Sequence, residues 1–400
     1  MHLYSTSPIN IKGTAMLTML TAHTFEVDDV DGAVAEILEQ LDLENKLCKN
    51  AVGILTCYSE FLETGVVKAV CDSLPFEVVG CTTMASSTPQ QSGAMILALS
   101  VITSDTVAFA TTMSAPLVAE TYFTALEEAF TKAAGNLPDK PSMIIPFLPI
   151  PDTVTNDSIV DALNTISSEL PIFGTLGSDH TTDYNRAHII HNGEDTKESM
   201  ALLLMSGPIS PRFHMVSIPE EKRQKQNAII TSSQGNIVHR VNDMPLLQYL
   251  ETIGFCNASN IETAKIVPFI VNYNDGTTPV VRGIYYFTPE GSAVFSGHMP
   301  CNATLSIGSL DYSDVITSTK ALIAEVNARK DASLMLIFSC ICRGWTLGTD
   351  MLAELDCVQE TTERIPYLMC YSGGEISPVY NEQDVLFNRF HCYTCIICTL

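Results

Sequence analysis

Charge of one sign is scarce in this chain of 400 residues. Only 21 lysines and arginines stand against 45 aspartates and glutamates, a formal net charge of -24. Nucleic-acid affinity comes mostly from clustered Lys and Arg, so a phosphate-backbone partner is excluded. The nearest approach to a basic cluster, Lys222-Arg223-Gln224-Lys225, follows Glu220-Glu221 and reads as a solvated linker. No run reaches the roughly 18 apolar residues that span a bilayer, so no membrane partner is expected. The moderately apolar Ala15 to Ala22 reads as a strand and not as a leader. Also missing are a Walker loop, H-E-x-x-H, G-x-S-x-G and C-x-x-C-H, which removes the motif-based cases for nucleotide hydrolysis, zinc proteolysis, α/β-hydrolase chemistry and c-type haem.

What the chain has is apolar bulk. Hydrophobic residues make up 46% and charged residues 16%, the composition of a globular protein with a large core. Its thirteen cysteines are an odd number, and a chain with such a core has no need of a disulfide framework. Reduced, metal-free thiols and a cytoplasmic location are expected. Cys392 and Cys395 have C-x-x-C spacing, but on a terminal strand over HCYTCIICTL residues three apart face opposite ways and do not share a metal. Residues 1 to 14 lack periodicity and read as a possible disordered tail.

Prolines mark a long period. Pro75, Pro171, Pro268 and Pro366 stand 96, 97 and 98 residues apart, and three of them open PFEVVGCTTM, PIFGTLGSDH and PYLMCYSGGE. In the second unit, TVAFATTMS reads as a strand and AETYFTALEEAFTKAAG as a helix with Phe123, Leu126 and Phe130 on one face. PSMIIPFLP then reads as a doubly covered strand. A helix follows, capped by Asn156 or Asp157, with Ile159, Leu163, Ile166 and Leu170 on its face, and PIFGTLGSD and SMALLLMSG close the unit. The first and last units repeat the order strand, helix, strand, helix, strand, strand. The unit around Pro268 is degenerate, keeping PFIVNYNDG and a hairpin-like VVRGIYYFTPEGSAVFSG with weak helices. The expected fold is α/β with mixed sheets, a duplicated two-domain architecture dividing at residues 15–222 and 223–400.

Function is then sought at the carboxyl ends of the aligned strands, where open α/β sheets bind ligands. Gly80-Cys81-Thr82-Thr83, Gly177-Ser178-Asp179 and Ser372-Gly373-Gly374-Glu375 stand there in register. Arg343, after the apolar SLMLIFSCI, is placed to meet a ligand carboxylate or Glu375.

VGCTTM, GTLGSDH, VVRGIYYFTPEG, FSCICRG and YSGGEISPV followed by NRFHCYTC resemble, in order, the landmarks of the FIST proteins (F-box and intracellular signal transduction) from about residue 18 to 400. The resemblance implies a non-enzymatic cytoplasmic sensory module that binds a small ligand, with amino acids as the class. Its partners would be a histidine kinase, a diguanylate cyclase, a chemotaxis component or an F-box protein. It also adds Arg282 and His391 to the ligand-site candidates. Two alternatives stay open: a haem-binding nitric oxide sensor using His188, His191, His214 or His391, and an enzyme with Cys81 as nucleophile. One departure is that Thr83-Met84-Ala85-Ser86 stands where the family continues to Gly-Glu.

Overall fold

A computed structural model describes residues 17–151, 153–167, 169–181, 183–225, 227–256 and 266–400; the expected tail at 1 to 14 lies outside the described residues. The chain is α/β with mixed sheets, as expected from alternating strand and helix periods.

Three sheets share one plan. In the first, Thr18–Thr24 pairs with Leu97–Ser104, which pairs with Asn50–Cys57, which runs parallel to Val78–Thr82. The second repeats this with Ala108–Met113, Ala201–Ser206, Met143–Leu148 and Gly174–Leu176. The third does so with Arg212–Val216, Cys395–Thr399, Met335–Cys340 and Tyr367–Ser372. Pro171 and Pro366 hold equivalent places, since their carbonyls accept from Ile144 and Met335 N–H, each at 3.0 Å. In the first unit the same place is taken by Glu77, whose carbonyl accepts from Gly53 N–H at 2.9 Å, so Pro75 stands two residues before it and the proline period is exact only between the second and last units.

The two remaining strands of each sheet come from a different unit. The hairpin Ile189–His191 with Glu194–Thr196 extends the first sheet, and Glu375–Tyr380 with Leu386–His391 extends the second. Ser86–Ser87 with Ser92–Gly93 extends the third. Each unit thus lends its hairpin to another, and strands from before and after residue 222 share the second and third sheets.

The period around Pro268 departs from this plan. It is an insertion, Ala228–Gln234 through Thr304–Ile307, whose strand pairs are all antiparallel and which carries the helix Leu246–Thr252. It has its own core around Phe269, Phe295, Val271 and Leu305.

The inner faces of the three repeated sheets pack on one another. Val52, Ile54 and Val79 meet Ile145, Phe147 and Phe173, and these meet Leu336, Phe338 and Leu368 in a single cluster. Helices cover the outer faces, with Ala33, Ile37 and Val70 on the first, Leu126 and Ile159 on the second, and Leu322 and Val358 on the third. Both faces of these strands are buried, which is why they read as unbroken apolar runs. Local readings needed two corrections. The helix Asn156–Ser167 is capped by Thr155, whose Oγ1 accepts from Ser158 N–H at 3.2 Å, and it ends before Leu170. The expected terminal strand is broken by Tyr393 at φ 58°, so Cys392 sits in a turn and Cys395 on a strand, packed into separate clusters.

Phe338 stacks on Phe173 with centroids 5.2 Å apart and meets Phe147 edge-on at 6.4 Å, at the point where the inner faces meet. Phe338→Ala leaves a cavity there that no single sheet can close. The variant is expected to lose about 3–5 kcal/mol in denaturant unfolding; a loss below about 1 kcal/mol would show that the three faces do not share one core.

Candidate functional site

The three strand-end loops do come together. Ser178 N–H donates to the Thr82 carbonyl at 3.0 Å, Leu176 N–H to Gly374 at 3.0 Å, and Gly373 N–H to Leu176 at 3.1 Å. Thr83 Oγ1 and Ser178 Oγ both donate to the Tyr371 carbonyl, at 2.6 and 3.1 Å. Glycine is required by contact at two of these positions. A Cβ on Gly80 would lie 1.8 Å from the Leu55 carbonyl oxygen, and one on Gly373 would lie 2.8 Å from that of Gly177. Gly80, Cys81, Thr82, Thr83, Gly177, Ser178, Asp179, Ser372, Gly373, Gly374 and Glu375 are all buried. Asp179 turns its carboxylate to Thr181 and to the Arg186 N–H at 2.6 Å. These groups hold one another.

Arg343 and Glu375 do not meet. Arg343, fully buried, pairs with Glu354 at 2.7 Å and donates to Thr319 Oγ1 at 2.9 Å, a network closed within the third unit. Glu375 accepts from Ser372 Oγ and Thr394 Oγ1, each at 2.5 Å. Burial pushes its carboxyl well above the usual range, against those two donors. His391, paired with Glu375 across the hairpin, is pushed down to about 3 by burial and then by Arg282, so it is neutral.

The residues behind the two alternative readings find little support. Burial pushes the Cys81 thiol up to about 12, the reverse of nucleophile activation. His188, His191 and His214 bond to Asp195, Thr111 and Glu325, and His391 is enclosed. All thirteen cysteines are free, and among the described residues no group of three or more His, Cys, Asp or Glu is arranged to hold a metal.

Arg282 leads to open space. It is fully buried where the inserted sheet meets the body, and its guanidinium donates to Asp157 at 2.8 Å, to the Phe390 carbonyl at 2.9 Å and to Tyr273 Oη at 3.0 Å. Burial opposes its charge, and Asp157 and Tyr273 outweigh that, so its pKa is raised. The second Asp157 oxygen accepts from His298 N–H at 2.8 Å, and the Tyr273 hydroxyl donates to the His298 carbonyl at 3.1 Å. Beside this network lies a cavity of about 290 Å³, walled by Asp157 and Asp161 from the second unit, Tyr273, Asp275 and His298 from the insertion, and Arg389 from the lent hairpin. Arg389 stacks over Tyr273 at 5.2 Å and pairs with Asp275. Burial pushes the Tyr273 hydroxyl up to about 12; burial and the nearby Asp157 raise the Asp161 carboxyl. The sequence pointed to Arg282, while Asp161, Tyr273, Asp275, His298 and Arg389 were missed. Tyr273 and Asp275 stand in PFIVNYNDG and Arg389 in NRFHC, segments legible as motifs but not as neighbours.

A repeated α/β body with a small polar cavity between separate parts of one chain is the build of a ligand-binding module. The FIST N domain matches residues 51–244 and the FIST C domain matches residues 245–378, so the chain belongs to the FIST family, whose domains are small-ligand sensory domains of signal transduction. The comparison with curated proteins found no match. Among the described residues no helix is long and apolar enough to cross a membrane.

Two outcomes follow from the buried groups. A raised carboxyl favours the protonated form in the folded state, so Glu375 contributes stability below its unfolded value of 4.5 and loses it as pH rises toward its folded value. Glu375→Gln should therefore gain stability relative to the parent as denaturation is repeated from pH 4 to pH 8; a constant difference would mean that folding does not shift the carboxyl's pKa. Thiol titration of the native protein should label the exposed Cys301 first and the half-buried Cys48 and Cys342 more slowly, with the others reacting only after unfolding.

Proposed function

We propose that this protein is a non-enzymatic sensor of a small amino-acid-like ligand, that the cavity beside Arg282 receives it, and that the signal passes to a separate cytoplasmic partner. Such partners include a histidine kinase, a diguanylate cyclase or a chemotaxis component. The observation that carries the reading is the cavity's double character. Asp161, beside Asp157, offers a carboxylate to an ammonium, and Arg389 across the space offers a guanidinium to a carboxylate. A volume of about 290 Å³ accommodates a molecule of that size. The strand-end loops from Gly80 to Glu375 would then act as the fixed frame from which the hairpin bearing Arg389 is presented.

Thermal-shift titration tests this directly. Free amino acids should raise the melting temperature, a ligand at about 100 times its Kd adding ~2.7 kcal/mol. N-acetylated forms, which lack the ammonium, should not. Asp161→Asn, at the exposed side of the cavity, should weaken the responding amino acid by about tenfold, ~1.4 kcal/mol, with the unliganded melting temperature unchanged. A response that ignores both acetylation and Asp161→Asn would place the ligand elsewhere.

A further inference from the structure

Thr18–Thr24 is the edge strand of the first sheet and pairs on one side only, with Leu97–Ser104. In an antiparallel pair the N–H and C=O of one residue point the same way, and successive residues alternate. His23 fixes the phase. Its N–H donates to Gln40 Oε1 at 3.0 Å and its carbonyl accepts from Gln40 Nε2 at 2.7 Å, so its backbone faces away from the partner strand. Thr21 and Met19, two and four residues back, face away as well. The Gln40 amide thus imitates one residue of a neighbouring strand at His23. At Thr21 and Met19 nothing does so, and among the described residues their outward N–H and C=O groups have no hydrogen-bond partner. The corresponding edge strand of the second unit, Ala108–Met113, gives its Thr111 N–H to Glu77 Oε2 at 3.3 Å.

Beside this edge runs a groove of about 560 Å³, lined by Met19, Leu20 and Thr21 of the first unit and by residues 362–367 of the third. Its lining is rich in groups that suit a peptide backbone. The side chains of Gln40, Gln90 and Gln359 stand around it, and the buried Thr362 Oγ1 has no partner. Charge favours an acidic occupant. Lys46 and Arg364 line the groove against one carboxylate, Glu363, a positive balance in a chain of net charge -24. Lys46 is paired only with the exposed Asp42 at 3.3 Å, and among the described residues Arg364 has no carboxylate partner.

We propose that Met19–Thr21 and this groove receive an extended, acidic peptide segment of a partner protein as an added strand. An unpaired edge is a template for such pairing, and natural edges are otherwise blunted or covered. Main-chain bonds to Thr21 and Met19 supply the affinity, and Lys46 and Arg364 supply the preference for acid. Residues 362–367 bound the groove on its far side, which suits a single extended segment better than the whole edge of a second copy. The groove shares no residue with the cavity beside Arg282, so this inference stands or falls apart from the ligand reading.

Photocrosslinking in the full chain tests it, with p-benzoylphenylalanine in place of the exposed Gln90. The probe is a hexapeptide of alternating valine and threonine between two terminal glutamates. Light should link it to the protein. N-methylation of its alternate amides on one edge should lower the yield at least about tenfold, and N-methylation on the other edge should leave it unchanged, because an added strand pairs along one edge only. Thr21→Pro removes the outward N–H while the bonds of Leu20 and Ala22 to Leu97–Ser104 remain, and it should lower the yield to a similar extent. If that variant does not fold, the exposed Arg364→Glu decides, with an expected loss of about tenfold. No linking, or linking indifferent to which edge is methylated, overturns the proposal. A crosslink formed without peptide, within one chain or to a second copy, would give the groove to that occupant and overturn it as well.

Discussion

The carbonyl oxygen of Tyr371 accepts from two units at once, from Thr83 Oγ1 of the first and Ser178 Oγ of the second, while itself belonging to the third. A backbone carbonyl has two lone pairs, and here both are used, joining Tyr371 to residues 288 and 193 positions away. All three donors and acceptors are buried, so losing one leaves an unsatisfied polar group in the core at a cost of about 1–3 kcal/mol. The exchanged hairpins follow from this meeting point, because each leaves its parent sheet there and finds its nearest free edge on another unit's sheet. No unit can complete its sheet alone, which makes the body a single cooperative structure although it is built by repetition.

The repeat and the strand order were legible in the sequence, and the reason is local. MIIPFL and MLIFSC are apolar on both faces because sheet meets sheet on one side and helix on the other. Hairpin exchange was not legible. Ser86–Ser87 and Ser92–Gly93 carry no apolar pattern that names their partner, which depends on where Tyr371 lies in space. Asp157 shows the same limit at one residue. Its place at a helix start reads as a cap, but Thr155 caps the helix and frees Asp157 for Arg282, which is distant in sequence. Arg343 was singled out at a strand end for Glu375 or a ligand carboxylate, yet its partner is Glu354, in the following helix Ala353–Thr361.

Burial separates the two candidate regions. At the strand ends, glycines allow backbone to approach backbone, and the result is a closed frame with its polar groups matched among themselves. At the Arg282 seam the matching is incomplete, since three aspartates and a histidine surround one arginine in the cavity and Asp161 keeps 59% of its side chain exposed. Incomplete matching next to a cavity is the condition under which a ligand gains from being present. The seam also brings Asp157 and Asp161, within the FIST N match, against Tyr273, Asp275 and His298, within the FIST C match, so an event there bears on both.

The central claim is that ligand binds at the seam and not at the strand ends, and hydrogen exchange resolved by peptide tests it most directly. With a saturating amino acid, added protection should fall on residues 157–161, 273–275 and 388–390, with the segments 80–83, 174–179 and 372–375 equally protected with and without it. Protection gained at the strand ends, with the seam unchanged, would contradict the account.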